Sequence, residues 1–306
     1  MDTRLAIDIG GTKTRIAVFS ESGILEEWET AGVGLAAESD GDLPQYREAL
    51  SEISKKYNIS SIAVNLGGRN AMQVQTVTKS VFPAALCRVV RESEGDAALA
   101  FGKCVGADAI LLAGTGTILV AKKAKDKCIF GGWGMNIGDG GSGYDIGLCA
   151  IRKTLLSLDG TAPLTPLEQE ISGLCAPIAP IEDAVAICMI RDEVRTRLHH
   201  TDRRAVASLV KTVADHAARG EADALSLFTE AGKKMGDLVL CGARKLNFKD
   251  SFTVAVTGGL LNTLAYWQSE FENTIKKETG ATRFVYEKDG LLRGIMALAE
   301  ELDDEK

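Results

Sequence analysis

Apolar residues along this chain fall into two patterns, short runs that predict β-strands and longer stretches with three- and four-residue spacing that predict helices. Residues 5–20 (LAIDIGGTKTRIAVFS) and 110–122 (ILLAGTGTILVAK) each consist of an apolar segment, a glycine-rich turn and a second apolar segment. Because glycine tolerates positive φ, each predicts a β-hairpin. The other predicted strands are Ser61–Leu66, Arg88–Arg91, Thr253–Val256 and Arg283–Tyr286.

The longer stretches predict helices that alternate with the strands, which is typical of an α/β protein with buried sheets. The predicted helices are Leu43–Lys55, Asp96–Val105, Ser142–Ser157, Arg204–Ala218, Ala222–Leu246, Asn262–Glu278 and Gly290–Glu301. The segment Thr161–Pro180 holds four of the six prolines and is predicted to be irregular.

Two hairpins of the same pattern, about a hundred residues apart, indicate a duplicated fold with a cleft between its halves. The length of 306 residues fits two domains of roughly 150 residues each. We place the first domain at residues 1–108 and the second at 109–289. The final helix, within residues 290–306, is predicted to pack back onto the first domain.

The charge and the lengths of the apolar runs indicate which partners and which cellular compartment to expect. The 35 Lys and Arg against 42 Asp and Glu give a net charge of −7, which argues against a nucleic-acid or anionic-membrane surface. No apolar run reaches the roughly 18 residues of a membrane span, and the N-terminus lacks a signal-peptide layout. We therefore expect a cytoplasmic protein; the sequence leaves a homodimer open.

Cysteine and histidine do not predict a metal centre. The seven cysteines are scattered with no C-x-x-C pair, so we expect reduced, mostly buried thiols. The three histidines, His199, His200 and His216, lie in charged surroundings without ligand spacing. All three are predicted to be solvated surface residues.

The first glycine turn follows Asp8 and reads Gly10-Gly11-Thr12-Lys13. Backbone N–H groups of such a turn can converge on phosphate oxygens, and the threonine adds a hydroxyl. A carboxylate at this point suits Mg²⁺, which prefers oxygen ligands and bridges phosphates. The alternative is a plain hairpin turn with an incidental aspartate.

Two later glycine segments extend this pattern. Gly114-Thr115-Gly116-Thr117 forms a second turn of phosphate-binding size, and Gly258-Gly259 follows a strand and opens a helix. Glycines at the latter position let a flat ring such as adenine lie against the backbone, although close helix–strand packing would also require them.

Taken in order, DIGGTKT, GTGT and VTGG resemble the two phosphate motifs and the adenosine motif of the sugar kinase/Hsp70/actin superfamily. The stretch GGWGMNIGDGGSGYDIG at residues 131–147 is similar to a run found in the N-acetylglucosamine kinase and BadF/BadG/BcrA/BcrD ATPase family. The resemblance implies two ribonuclease-H-like, actin-like ATPase domains that close on ATP-Mg²⁺ and a sugar. It implies an ATP-dependent carbohydrate kinase acting on N-acetylglucosamine or a related amino sugar or hexose.

Asp96 is the candidate catalytic residue, because phosphoryl transfer to an alcohol needs a group that orients the hydroxyl and accepts its proton. It follows the predicted strand around Arg88–Arg91 and opens an alanine-rich helix. Aspartate at a helix start is also a common N-cap. Family kinases place their catalytic aspartate at this strand-to-helix junction, so the resemblance favours catalysis.

The same resemblance places the acceptor sugar against Gly67, Gly68 and Arg69, with Trp133 and Asp139 of the long motif and with Asp96 itself. Trp133 offers a flat apolar face to a sugar ring, and Asp139 can accept hydrogen bonds from hydroxyls. A core tryptophan and a turn aspartate are the alternatives. Arg69 suits an acidic acceptor or a surface position.

Three positions depart from the family pattern. Gly95 replaces an asparagine before the catalytic aspartate, Gly140 replaces the glutamate of GDEG, and Leu35 lies near an expected sugar-binding asparagine. These departures bear on which sugar is used. Two other functions stay open: an ATPase activator of a CoA-ester dehydratase or reductase, which would need an iron–sulfur cluster, and a non-catalytic ATP- and sugar-binding regulator.

Overall fold

The computed structural model describes residues 3–10, 13–31, 43–67, 71–91, 95–135, 137–174, 184–199, 203–248 and 251–304. In the first half the elements are β1 (Thr3–Ile9), β2 (Lys13–Ser20), β3 (Gly23–Ala31), α1 (Leu43–Lys56), β4 (Ile59–Leu66), α2 (Ala71–Val81), β5 (Leu86–Arg91) and α3 (Asp96–Val105). In the second they are β6 (Ala109–Ala113), β7 (Thr117–Lys123), β8 (Asp126–Gly131), α4 (Gly143–Leu158), α5 (Pro166–Ser172), α6 (Ala184–His199), α7 (Arg203–Ala218), α8 (Ala222–Lys245), β9 (Ser251–Thr257), a 3-10 turn (Gly259–Thr263), α9 (Leu264–Lys276), β10 (Ala281–Tyr286) and α10 (Gly290–Asp304).

The two sheets have the same topology. The first has the order β3-β2-β1-β4-β5 and the second has β8-β7-β6-β9-β10. In each, the first three strands are antiparallel, while the fourth and fifth run parallel to the first. The duplication predicted from the two glycine hairpins is therefore present in the fold. The first hairpin joins β1 to β2, and the second joins β6 to β7.

Helix α3 lies between the two sheets. Its Ala97 and Ala100 pack in the core that covers one face of the first sheet, while Ala98 and Phe101 pack against β6, β7 and β9 of the second. The opposite face of the first sheet is covered by α1 and α2, and that of the second by α4, α7, α8 and α9. Helix α3 thus contacts both halves, through two apolar faces.

Helix α10 returns to the first half, where it packs on β1, β4, β5 and α3. Its closest approach is at Gly294, where an added Cβ would lie 2.0 Å from the carbonyl oxygen of Ala97. Only glycine allows the two helix backbones to come this close. Through this contact the C-terminal helix fixes the N-terminal end of α3.

The structure corrects several expectations about local structure. Thr161–Pro180 is not irregular throughout, because residues 166–172 form α5. Pro166 occupies its first turn, and Thr165 and Glu168 form a capping box, so that proline begins this helix instead of breaking it. Helices α2 and α6 and strands β3 and β8 were not predicted. Helix α2 is rich in valine and threonine, which favour strands, and β3 is rich in glutamate.

His216 is not a solvated surface residue as expected, since only 2% of it is exposed. Its Nδ1 lies 2.8 Å from Glu221 Oε2, and its Nε2 lies 2.9 Å from Glu170 Oε2. It therefore joins α5, α7 and the start of α8. Burial opposes the charged form of the ring, but the two carboxylates outweigh it, and the pKa of His216 is raised above its ordinary value of 6.5.

This raised pKa predicts how the cluster stabilises the fold. The folded protein holds the His216 proton more tightly than the unfolded chain, so the stabilisation is fully present below pH 6.5 and is lost as the pH rises through the folded-state pKa. We expect His216→Gln to lower the free energy of unfolding more at about pH 6 than at about pH 9. Urea unfolding of both proteins at each pH measures this; an equal loss at both would contradict it.

Among the described residues, no helix combines the length and the apolar character that crossing a bilayer requires.

Candidate functional site

The two glycine turns occupy equivalent places in the two sheets. In the first, the Gly10 N–H donates to the Lys13 carbonyl at 2.9 Å, and in the second the Gly114 N–H donates to the Gly116 carbonyl at 3.0 Å. Among the described residues, no atom lies within 4 Å of a Cβ placed at Gly114. Gly11 and Thr12 lie outside the described residues.

A buried threonine hydroxyl follows each turn. Thr14 begins the pairing of β2 opposite Ile9, and Thr117 begins the pairing of β7 opposite Ala113. Within the described ranges, neither Oγ1 has a hydrogen-bond partner. Buried polar atoms are rarely left in this state, so each turn is followed by an unsatisfied hydroxyl.

Asp8 lies at the carboxyl end of β1, next to Asn65 on the parallel strand β4. The Asn65 amide donates to Asp8 Oδ1 at 2.9 Å. Burial raises the pKa of Asp8, although the Asn65 hydrogen bond and the charges of Arg15 and Lys13 act in the opposite direction. No lysine or arginine of the described chain pairs directly with this carboxylate, so its oxygens suit a hard cation such as Mg²⁺.

Asp96 is the first residue of α3, and about a third of its side chain is exposed. It is not the N-cap, contrary to the alternative considered for it: the cap is Gly95, and the helix has no side-chain cap hydrogen bond. Instead, Asp96 Oδ1 accepts a hydrogen bond from Lys127 Nζ of β8, at 3.1 Å. The carboxylate therefore faces the second half of the protein and does not serve its own helix.

Gly95 has a physical reason for its departure from the family pattern. Its φ is +71°, a conformation that glycine and asparagine adopt more readily than other residues. A Cβ here would lie 2.8 Å from Val120 Cγ1 of β7. Glycine thus keeps the turn before Asp96 and allows the second sheet to pack directly against it. The structure does not explain Gly140, and Leu35 lies outside the described residues.

The long motif at residues 131–147 supports the second glycine turn. Helix α4 begins within it, and its Gly143 and Tyr144 N–H groups donate to the carbonyls of Gly114 and Thr115, at 2.9 and 3.3 Å. Asp145 accepts from the Gly141 N–H at 2.8 Å and from Lys234 Nζ at 2.7 Å. Two motifs far apart in the sequence therefore form one hydrogen-bonded unit.

Asp139 belongs to this unit and has different partners from the sugar hydroxyls predicted for it. Only 4% of Asp139 is exposed. Its Oδ1 accepts from the Thr117 N–H at 3.3 Å, and its Oδ2 accepts from Arg203 Nη2 at 2.9 Å. Its φ of +61° is uncommon for a residue other than glycine. Direct sugar contact by Asp139 stays a prediction.

The other predicted sugar-binding residues are only partly described. Trp133 is 74% exposed, so it is not a core tryptophan and its ring is free to contact a ligand. Gly67 follows β4, and its N–H donates to the Ile9 carbonyl at 2.8 Å, which places it beside the first turn. Gly68 and Arg69 lie outside the described residues.

Gly258 and Gly259, predicted to bind adenosine, differ in their surroundings. Gly258 has a φ of +115°, and a Cβ there would lie 2.4 Å from the Ala113 carbonyl oxygen at the end of β6. Close packing alone therefore requires glycine at 258. At Gly259 a Cβ would meet no atom of the described part of the chain within 4 Å, so packing against these residues does not require glycine there.

Residues 288 and 289 connect this segment with the first half. The Gly258 N–H donates to the Lys288 carbonyl at 3.2 Å, and Asp289 forms an ion pair with Arg15 of β2. Arg15 immediately follows Thr14 of the first turn. This contact and the Asp96–Lys127 pair are two ion pairs that connect the first half with the second.

Three connections had no signal in the sequence. Lys127, Arg203 and Asn65 each hold a predicted site residue, but they lie in ordinary charged or strand segments without a recognisable motif. The parallel pairing of β1 with β4 would have found Asn65, had their register been known. The other two depend on contacts between distant elements.

Comparison with known proteins agrees with the fold and the motifs. The family model "BadF/BadG/BcrA/BcrD ATPase family" matches residues 5–290. This chain belongs to that family, and the resemblance stated from its motifs is confirmed.

Individual relatives extend this result. The chain is 24% identical, over 78% of its length and 77% of the relative's, to the N-acetylmuramic acid/N-acetylglucosamine kinase of Clostridium acetobutylicum. Its fold is similar to that of a solved protein from Porphyromonas gingivalis (TM-score 0.71, 16% identity, 98% and 99% of the two chains). A ROK family glucokinase from Streptomyces griseus, solved with glucose and AMPPNP, gives a TM-score of 0.60 at 15% identity, over 98% and 99% of the chains. The predicted two-domain actin-like ATPase fold is thereby confirmed.

Proposed function

We propose that this protein is an ATP-dependent kinase that phosphorylates a hydroxyl of N-acetylglucosamine or a related amino sugar or hexose. The observation that carries the proposal is the position of Asp96, whose partly exposed carboxylate opens α3 and faces the second half of the protein. Family membership and the sugar kinases among the relatives support the same activity.

The two glycine turns hold the phosphates of ATP in this proposal. The turns at residues 10–13 and 114–117 would bind the phosphate oxygens through those backbone N–H groups that the protein does not use itself. The hydroxyls of Thr14 and Thr117, which have no partner among the described residues, would supply further donors. Gly258 and Gly259 back the adenosine. Asp8 would hold Mg²⁺, and the ion would supply positive charge that offsets the negative charge of the phosphates.

Asp96 orients the acceptor hydroxyl for in-line attack. As the new bond from the sugar oxygen to the γ-phosphorus forms, the bond from that phosphorus to the bridging oxygen of ADP breaks. The hydroxyl proton passes to the Asp96 carboxylate. Lys127, which donates to one Asp96 oxygen, leaves the second oxygen for the acceptor and restricts the rotation of the side chain.

The acceptor is bound by Gly67, Gly68, Arg69, Trp133 and Asp139 in this proposal, with Trp133 stacking on the sugar ring. The Clostridium relative is named for both N-acetylmuramic acid and N-acetylglucosamine. Because N-acetylmuramic acid carries a carboxylate, Arg69 is the residue that would distinguish these acceptors. A cytoplasmic location stays a prediction, consistent with ATP as donor, and so does a homodimer.

A substrate panel tests the proposal. Purified protein with Mg-ATP is assayed for ADP release without sugar and with hexoses, glucosamine, N-acetylhexosamines, N-acetylmuramic acid and sugar acids. We expect at least one amino sugar or hexose to raise ADP release by about tenfold or more over the blank. Equal ADP release with and without every sugar would instead indicate an ATPase or a regulator and would overturn the proposal.

Removing the Asp8 charge tests the metal site. Asp8→Asn keeps the shape of the side chain and leaves the neighbouring Asn65 in place. We expect it to raise the Mg²⁺ concentration required for half-maximal activity by about tenfold. A Mg²⁺ titration at saturating ATP measures this, with Asp126→Asn, an exposed aspartate on β8, as the matched control. An unchanged Mg²⁺ requirement would remove Asp8 from the metal site.

A further inference from the structure

An ion pair between a buried carboxylate and a partly exposed arginine lies beside the second glycine turn. Asp139 Oδ2 and Arg203 Nη2 are 2.9 Å apart, and the same carboxylate accepts the Thr117 N–H. A Cβ on Gly116 would lie 2.8 Å from Arg203 Nη2 and 3.1 Å from Asp139 Cγ. The pair therefore packs directly against the backbone that the proposed function assigns to nucleotide phosphates.

The carboxylate alone would be unfavourable for phosphate binding. Asp139 is almost fully buried, so water screens its charge poorly, and a negative charge at this turn would repel a triphosphate. It nevertheless fixes the turn through its hydrogen bond to the Thr117 N–H. A compensating positive charge lets the turn keep this hydrogen bond without the repulsion.

Arg203 has the position for this role. It is the first residue of α7, which packs closely on α4: a Cβ at Gly147 would lie 2.0 Å from the Val206 carbonyl. Less than a third of the Arg203 side chain is exposed. Its Nη2 lies at the turn, next to Gly116, while its Nε is buried and, within the described ranges, has no hydrogen-bond partner.

We propose that Arg203 is a positioning residue for nucleotide binding, which neutralises Asp139 and thereby lets the turn at residues 114–117 accept the phosphates of ATP. This inference rests on the proposed function, because it needs a nucleotide at that turn. Arg203 acts through Asp139 and Thr117 and takes no part in proton transfer.

Nucleotide titrations of the full chain test this role. We expect Arg203→Ala to weaken Mg-ATP and Mg-ADP binding by about tenfold or more, because it leaves the buried carboxylate unpaired. Adenosine carries no phosphate, so its affinity should change by less than about twofold. Arg203→Lys should retain part of the ATP affinity, since it keeps the charge and loses the planar fork. Arg204→Ala, at the exposed neighbouring position, is the matched control and should bind all three like the wild type.

A double variant separates charge compensation from a structural role. If Arg203 acts by neutralising Asp139, then Asp139→Asn/Arg203→Ala should recover most of the ATP affinity lost in Arg203→Ala and approach that of Asp139→Asn. Equal loss of ATP and adenosine binding, or no recovery in the double variant, would overturn the inference. Wild-type protein that binds no nucleotide would overturn the proposed function itself, whereas wild-type affinity in Arg203→Ala would overturn only the role of Arg203.

Discussion

Asp96→Asn is expected to lower kcat for sugar phosphorylation by about 10³-fold, because a positioned general base contributes roughly 10²- to 10⁴-fold. The amide has nearly the shape of the carboxylate but cannot take the hydroxyl proton. Asp96 lies at the start of α3 and is not its N-cap, so the helix loses no capping interaction. ATP affinity should change by less than about threefold, because the residue belongs to the acceptor side of the reaction.

Steady-state kinetics with the best sugar of the panel, combined with ATP titration, measure both quantities. Asp126→Asn serves as the control, since it makes the same chemical change at an exposed residue adjacent to Lys127. A kcat close to the wild-type value in Asp96→Asn would refute the assignment of the base. A loss of ATP affinity as large as the loss in kcat would assign the residue to nucleotide binding.

Gly294→Ala should destabilise the protein, although helix propensity alone predicts the opposite sign. Alanine favours a helix over glycine by about 1 kcal/mol. At this position, however, the new Cβ would lie 2.0 Å from the Ala97 carbonyl oxygen, so α10 and α3 must move apart. Overpacking of this kind typically costs about 1–3 kcal/mol, and we expect a net loss of free energy of unfolding.

The same change should also reduce kinase activity, because α3 carries Asp96 at its N-terminal end. Chemical unfolding gives the stability, and Glu300→Ala, at an exposed position of α10, is the control expected to stay within about 0.5 kcal/mol of wild type. If Gly294→Ala were more stable than wild type, the close contact between the helices would be absent in solution.

The predictable part of this protein is the part that local sequence patterns encode. Glycine turns between apolar segments predicted both hairpins and, through their similarity, the duplicated topology. The junction at Asp96 was also located from local sequence, because an apolar strand precedes it and an alanine-rich helix follows it. Helix α5 was missed because Pro166 and the other prolines of residues 161–180 indicate a break unless the capping box of Thr165 and Glu168 is also considered.

Contacts between distant elements set the rest of the site. The arginine that holds Asp139 comes from a helix 64 residues further along the chain, and Lys127 reaches Asp96 from the edge of the other sheet. Neither pairing follows from spacing. The first depends on how α7 packs against α4 within the second half, and the second depends on how the two halves pack around α3. The burial of His216 also depends on contacts between different helices, because two glutamates hydrogen-bond to its ring.

The transfer of the γ-phosphoryl group of ATP to a sugar hydroxyl is the central claim, and ³¹P NMR of the reaction products tests it most directly. Wild-type protein with Mg-ATP and the best acceptor of the panel should give one new phosphomonoester resonance, growing in step with ADP. Formation of ADP and inorganic phosphate, without a sugar phosphate for any acceptor, would contradict it.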